Sequence, residues 1–541
     1  MAVRALGNGI KKFLEQELYR TNRSPLEYVA LISLGLLVTA IAKYPDRAIF
    51  TRARPDLKGK EAKGLPIVGN LFDFAKYSDN PLLMLYNGFQ KYGDVFALTI
   101  PGRGRFIFIN NPELIEHVLK TNFNNYIKGE IFSVQVRDIL GTGIFVSDQE
   151  EWRFHRKTAV NIFTTKIYRQ FSEDAFPAGA DILCSVLAEK EKLGQTVDMQ
   201  ELFMKLTMDV FGKLIFGFEF NSLRTEGPHE FGDAFDYLLG NVDSRIQNPF
   251  WQWTDMITPG KCTKIKNALA ILDKYAYMAV KKRRNETEEE KEKRPKDLLD
   301  QYINHVRDDG TTPTDLELRD VFINFMIAGR DTTALTLSWQ FYSLMANPRT
   351  LKNVLKELDI VLGGVEDYKF EAMSHGLPYL KAVFHETLRL YTPVPRNVKE
   401  SLADDVLPDG TIVYKDDIIG FSTWCMGKNK SVWGEDAELF VPERWLNEDE
   451  PSTLAPVPGT QGISPFGKFR MESQHKFNSF NSGPRLCIGQ TFATLEAMVT
   501  SCMLLQRFEF KLVPGQPTPV PKPSAALPMR DPLMMQVKRR S

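Results

Sequence analysis

The stretch "FNSFNSGPRLCIGQTFATLEA", Phe477 to Ala497, sets Cys487 between Gly483, Arg485 and Gly489, just ahead of an apolar helical pattern. The chain has five cysteines, Cys184, Cys262, Cys425, Cys487 and Cys502, with no CxxC or CxxxH spacing. An odd, unpatterned set argues against a disulfide framework or a zinc site and for a reducing compartment. Four of the five read as small buried hydrophobes, the usual fate of a free cysteine. Cys487, fenced by glycines, a proline and an arginine, needs a separate reading.

With 541 residues, 43% hydrophobic and 25% charged, the composition is that of a globular protein with a large core. Its 68 Lys plus Arg balance 68 Asp plus Glu, so no basic excess offers itself to nucleic acid. Near the N-terminus, "EYVALISLGLLVTAIAKYPDR" holds an uncharged apolar run from Tyr28 to Ala42. Extended through Leu26 and Tyr44, it approaches the ~20 apolar residues of a bilayer-spanning helix. Its late start, after a charged prefix, favours an uncleaved anchor over a signal peptide. Lys43, Arg47, Arg52, Arg54, Lys58, Lys60 and Lys63 crowd the downstream flank, which by the positive-inside rule leaves the rest of the chain in the cytosol. The acceptor patterns at Asn285 and Asn429 are then expected to stay unmodified. The chain divides into an anchor with a basic, proline-punctuated linker, residues 1–63, and one large domain, residues 64–541.

Helical patterns dominate from Trp152 to Leu390, and the charged run "KKRRNETEEEKEKRPKD" (Lys281–Asp297) reads as a solvated loop after a helix end. "DDVLPDGTIVYKDDIIGFSTW" alternates apolar and polar residues around a Pro-Asp-Gly turn, as a hairpin does. The fold class is mainly α with a small β part. The longest helix starts at a capping box, Thr314 with Glu317, and stops before Pro348; roughly 32 residues span about 50 Å. In its middle lies "AGRDTT", Ala328 to Thr333. A helix-interior glycine costs about 1 kcal/mol against alanine. Close packing would explain Ala328 and Gly329 but leaves Asp331 and Thr332, so the sequence accommodates something there.

Three further patterns are weak alone. "FHETLRL" puts Glu386 and Arg389 on one helical face, "ELFVPERWL" supplies Arg444, and "EEWRFHRK" sets Trp152 and Arg156 four apart. In this order, and with the Cys487 stretch, they resemble the cytochrome P450 family of haem-thiolate enzymes over essentially the whole chain after the anchor. The family signature FxxGxRxCxG is met by Phe480, Gly483, Arg485, Cys487 and Gly489, ExxR by Glu386 and Arg389, PERW by Pro442 to Trp445, WxxxR by Trp152 and Arg156, and AGxDTT by Ala328 to Thr333. The resemblance implies the P450 fold, with a long central helix over the haem and a β-rich subregion.

It also implies haem b, iron protoporphyrin IX, bound through Cys487, which must be a thiolate to hold ferric iron. Glycines let the loop approach the flat macrocycle, and backbone N–H groups with the following helix N-terminus stabilise the sulfur's charge. Arg485 and Arg156 suit the haem propionates, with Trp152 donating its indole N–H to the same group. Lys399 stands where many relatives carry a propionate-binding arginine and offers a looser point charge. On the opposite face Thr332 and Asp331 would deliver protons to the O2 site from a locally opened helix. Glu386, Arg389 and Arg444 would form a buried triad that supports the haem loop. His155 and His385 read as core histidines, not iron ligands.

No G-x-G-x-x-G fingerprint is present, so electrons are expected from a separate membrane-bound NADPH-cytochrome P450 reductase, with cytochrome b5 as a second donor, at an endoplasmic reticulum membrane. Arg153, Lys157 and Lys476 are the basic contacts the resemblance implies. The 37 phenylalanines and the apolar "VFINFMIA" face fit a hydrophobic substrate and fit core packing equally. "GRDTTALTLSW", "DDVLPDGTIV" and "MGKNKSVWGED" look like the fungal and plant branch that hydroxylates fatty acids and alkanes at the chain terminus. The expected activity is ω-hydroxylation of medium or long-chain fatty acids. Its alternatives are hydroxylation of alkanes, other lipids or xenobiotics, an isomerase or dehydratase of lipid hydroperoxides, and a non-catalytic haem carrier. The Asp331–Thr332 pair argues against the last two.

Overall fold

The computed structural model describes residues 24–294, 296–307, 310–453 and 455–540; the charged prefix ahead of the anchor lies outside them. The helices that matter here are α1 (Pro25–Lys43), α2 (Gln149–Val160), α3 (Met199–Phe216), α4 (Glu230–Gln247), α5 (Lys261–Arg284), α6 (Asp315–Ala346), α7 (Pro348–Val361), α8 (Pro378–Leu390) and α9 (Gln490–Arg507). The strands are β1 (Val95–Ile100), β2 (Gly104–Ile109), β3 (Tyr126–Ile127), β4 (Val197–Asp198), β5 (Asn397–Ser401), β6 (Asp405–Val406), β7 (Ile412–Val413), β8 (Ile418–Phe421), β9 (Leu446–Pro451), β10 (Gly467–Phe469), β11 (Phe508–Leu512) and β12 (Met534–Arg539).

The core is organised around α6. Its capping box closes as expected, the Thr314 hydroxyl accepting from Glu317 N and the Glu317 carboxylate from Thr314 N at 2.8 Å, and it ends at Ala346 after 32 residues. From Leu318 to Phe341 every side chain is buried except Ile327, Ala328 and Thr332, the all-round burial of a helix packed on every side. Helices α3, α5, α8 and α9 pack directly on it. Helix α8 has no cap of its own; Glu357 of α7 supplies one, its two carboxylate oxygens accepting from Tyr379 N and Leu380 N at 2.9 Å. The main sheet has the order β1-β2-β8-β5-β3, and β5 pairs antiparallel with β8 so that Lys399 lies opposite Ile419. The expected hairpin is β6–β7, turning through Gly410 at φ +81°.

Three sequence expectations are corrected. The run Lys281–Asp297 is not simply solvated: Arg283 is buried and pairs with Glu286 at 2.8 Å and with Asp297, because the end of α5 is tied back to the C-terminus of α3. The basic stretch after the anchor is packed and not a free linker. Arg54 is buried against Asp417 at 3.0 Å, and Ala48 N donates to the Thr99 hydroxyl at 2.9 Å. Cys262 is exposed at the start of α5, unlike the buried Cys184, Cys425 and Cys502.

Candidate active site

Cys487 is presented by a loop that its sequence neighbours shape. Its N–H donates to the Phe480 carbonyl at 2.8 Å, and Ser479 ties the loop to α8 by donating to the Leu388 carbonyl at 3.0 Å. Gly483 has φ +62°, and a Cβ there would lie 2.1 Å from the Leu119 carbonyl oxygen, so only glycine fits. Gly489 stands just before α9, its N–H near the sulfur. Cys487 is exposed, yet the protein packed around its sulfur pushes the thiol up by desolvation, opposed by the Gly489 N–H and by the nearby Arg156 guanidinium. Arg156, expected at the propionates, touches this loop, its guanidinium donating to the Leu486 carbonyl.

Beside the cysteine lies a cluster of cations. Arg485 donates to Asp148 at 2.7 Å and to the Ser147 carbonyl at 2.9 Å, and its guanidinium stacks 4.7 Å over the Trp152 ring. Lys399 is buried with no partner for its Nζ among the described residues, and the Arg485 Nε is likewise unpaired among them. Lys128 joins them, a residue no sequence motif marked. Burial, together with the neighbouring cations, drives the Lys399 amine well below its ordinary range and Lys128 down to about 8, and burial takes Arg485 to about 10. Asp148 is the one carboxylate acting on all three cations, and it also accepts from the Lys128 and Gly129 N–H groups at 2.9 and 3.1 Å. Three cations around one carboxylate leave unpaired donors that two further carboxylates would satisfy.

Along this stretch of α6 the half-exposed positions are Ile327, Ala328 and Thr332, the last two one turn apart. The Thr332 hydroxyl donates to the Ala328 carbonyl at 2.6 Å. The expected opening is not observed: α6 is continuous through this stretch. Gly329 serves packing, since a Cβ there would come within 2.0 Å of the Phe211 ring of α3. Asp331 points away from Thr332, accepting from Arg330 at 2.8 Å, and Arg330 also donates to Asp236 of α4 at 2.7 Å. Burial raises Asp331 to about 7 against the lowering pull of Arg330, and the negative charge of Asp236 adds to the rise. The Asp236 side chain is 55% exposed, so this chain of groups runs from solvent to the central helix.

Glu386, Arg389 and Arg444 come together in one ion-pair cluster. Glu386 and Arg389 side chains are 0% exposed and joined by two bonds of 2.7 Å. Arg444 Nε donates to Glu386 at 3.1 Å, and Trp445 Nε1, which sequence reasoning did not assign, donates at 3.0 Å. The Trp445 ring lies 4.8 Å from Phe477, and Phe477 lies 6.3 Å from Phe480, so the triad is connected mechanically to the cysteine loop. His155 is 3.3 Å from the Tyr302 hydroxyl and His385 is 2.8 Å from the Lys381 carbonyl. Both are core residues, and burial takes them down to about 4 and about 3.

A flat porphyrin carrying two propionates is the group that an accessible thiol beside an excess of buried cations can take, and that pairing defines the haem-thiolate enzymes. A family model described as "Cytochrome P450" matches residues 60–537, and the chain belongs to that family. It is similar to "Cytochrome P450 monooxygenase cyp1" of Mycosarcoma maydis, 36% identical with 97% of this chain and 82% of that protein aligned. It is also similar to "Cytochrome P450 704B1" of Arabidopsis thaliana, 33% identical over 81% of this chain and 87% of that one, and to "Cytochrome P450 86B1" of the same plant, 30% identical over 90% and 87%. The protein is thus a monooxygenase with haem b on a cysteine thiolate, and the bound haem supplies O2 activation for oxygen insertion, using electrons from a reductase partner. Cys487 would hold the iron, Arg485, Lys399 and Lys128 the propionates, and Ala328 and Thr332 would face the distal side.

Proposed function

We propose that this monooxygenase ω-hydroxylates medium or long-chain fatty acids at the cytosolic face of the endoplasmic reticulum membrane, with Asp331 and Thr332 as its proton-delivery pair. The observation that carries the substrate class is the likeness of "GRDTTALTLSW", "DDVLPDGTIV" and "MGKNKSVWGED" to the branch that oxidises fatty acids and alkanes at the chain terminus. An apolar approach to the distal face is consistent with it. Phe145 keeps 39% of its surface accessible, and its N–H bonds Asn324 at 3.2 Å, one turn of α6 before Ala328.

Helix α1 is long and apolar enough to cross a bilayer, with none of its span buried in the protein. Exposed Phe50, Phe72, Trp253 and Ile257 add apolar surface around the β1–β2 turn. Arg103 of that turn donates to the Asn248 carbonyl at 2.9 Å, just before the helix Trp251–Ile257, and Asn70 N donates to Thr99 O at 2.8 Å, just before the helix Leu71–Lys76. This surface supports seating on the lipid bilayer. For docking of NADPH-cytochrome P450 reductase, and of cytochrome b5, Arg153 already pairs with Glu150, and Lys476 pairs with Glu472 at 3.1 Å. Lys157 is exposed on the same face of α2 as Arg153.

The test is incubation of membranes containing the protein and the reductase with NADPH and, separately, dodecanoic acid, hexadecanoic acid, hexadecane and a lipid hydroperoxide. Products are identified by mass spectrometry. Terminal hydroxy acids are expected; oxidation of the alkane alone, in-chain products alone, or NADPH-independent hydroperoxide rearrangement would each sink the reading.

A further inference from the structure

Four carbonyls of α6 around the distal face carry a second donor besides the regular helical N–H. The Thr332 hydroxyl donates to Ala328 O at 2.6 Å, Thr336 to Thr332 O at 2.7 Å and Ser338 to Ala334 O at 2.8 Å. These three come from within α6. The fourth comes from another helix: the Thr207 hydroxyl of α3, fully buried, lies 2.8 Å from Arg330 O. The same hydroxyl is 3.0 Å from Phe203 O of its own helix. It has one hydrogen to give, so it can serve either helix. The close approach that brings it there depends on Gly329, which takes the Phe211 ring of α3 where a side chain would stand.

A helical carbonyl with a second donor is not itself left unpaired when its own N–H lets go, which saves the about 1–3 kcal/mol of an unsatisfied buried acceptor and leaves only the freed N–H to be satisfied in the open state. Hydroxyl side-bonds of this kind also bend helices. We propose that Thr207 is a positioning residue for proton delivery. Its hydroxyl keeps Arg330 O paired when the Ala334 N–H releases it, so α6 can open between Arg330 and Ala334 and reorient Asp331 and Thr332 toward the distal side of the haem. The inference rests on the reading of Asp331 and Thr332 as the proton pair. It also accounts for a helix that is continuous in this structure and yet carries the residues of an opening one.

The experiment compares holoenzyme with Thr207→Val, which keeps the shape and removes the donor, and Thr207→Ser, which keeps the donor. Hydrogen exchange of the segment 328–338 is expected to slow about fivefold in T207V, the loss of one neutral hydrogen bond from the open state, and to recover in T207S. A merely structural role would have the opposite sign, since lost packing speeds exchange; equal or faster exchange in T207V overturns the inference. With dodecanoic acid and reductase, T207V is expected to keep consuming NADPH while product per NADPH falls severalfold into peroxide. If T207V does not load haem, Thr207→Ala carries the same comparison. Thr332→Ala separates the two readings. Uncoupling in T332A with unchanged coupling in T207V overturns the role of Thr207 alone, whereas full coupling in T332A overturns the proton pair itself.

Discussion

Replacing Glu386 by glutamine keeps the volume of the side chain and removes its charge, and the structure sets the cost. Glu386 accepts two bonds from Arg389 at 2.7 Å, one from Arg444 at 3.1 Å, one from Trp445 at 3.0 Å and one from Val441 N at 2.8 Å. The amide can spare the Oε1 contacts only by turning its NH2 toward Arg389 Nε and Trp445 Nε1, donor against donor. Arg389, fully buried, then keeps the amide oxygen through Nη2 and the carbonyls of Gly427, Ala437 and Leu439, with no carboxylate against its charge. Stranding a buried charge costs about 3–5 kcal/mol, against a net stability of roughly 5–15 kcal/mol. Arg444→Gln is the internal comparison. Its side chain is 12% exposed and its second partner, Asp436, sits at the surface, so its loss is expected to cost about 1 kcal/mol. The assay is the CO-difference spectrum of reduced membranes, followed during a temperature ramp. E386Q is expected to yield little thiolate-type band at 30 °C, and R444Q a near-normal band with a midpoint about 2 °C lower. Wild-type holoprotein content and midpoint in E386Q would refute the claim that this carboxylate holds the cysteine loop.

Two further outcomes follow from buried groups. Lys399→Met removes an amine that has no partner among the described residues, so release of haem to an excess of apomyoglobin is expected to speed up about tenfold or more, the worth of a charge-assisted hydrogen bond; an unchanged release rate would separate Lys399 from the propionates. Glu496 is buried with only Thr333 beside its carboxyl, and burial pushes it up to about 8. The unfolded chain releases that proton near pH 4.3. Between these values the folded state holds a proton that the unfolded state has lost, so stability falls as pH rises, by up to about 1.4 kcal/mol per unit. Glu496→Gln is expected to match wild type at pH 5 and to melt higher at pH 8.5; parallel midpoint curves for the two proteins would contradict it.

What the sequence made legible were features whose parts lie close together in the chain. The cysteine loop, the Glu386–Arg389 pair and the capping box at Thr314 each need at most ten consecutive residues, and their geometry follows from local backbone shape. What it hid were pairings set by packing. Asp148 belongs to no motif, yet its carboxylate meets Arg485, 337 positions away. Lys128 belongs to no motif and earns its place only when β5 brings Lys399 alongside. Close packing is a sequence reading of Gly329, but only the position of Phe211 shows which helix it admits.

The two faces of the haem site are therefore held by different physics, and the difference matches what each must do. The proximal side is fixed by a fully buried ion pair that reaches the cysteine loop through Trp445 and Phe477, an arrangement with one low-energy state because any displacement strands a charge. The distal side is held by hydroxyls that offer α6 alternative partners of nearly equal worth. The Thr207 hydroxyl lies 2.8 Å from a carbonyl of α6 and 3.0 and 3.3 Å from two carbonyls of its own helix, so its one hydrogen has more than one acceptor within reach. A site that must hold its metal ligand still while moving protons on the other side needs this asymmetry, and neither half could exchange its bonding for the other's without losing its task.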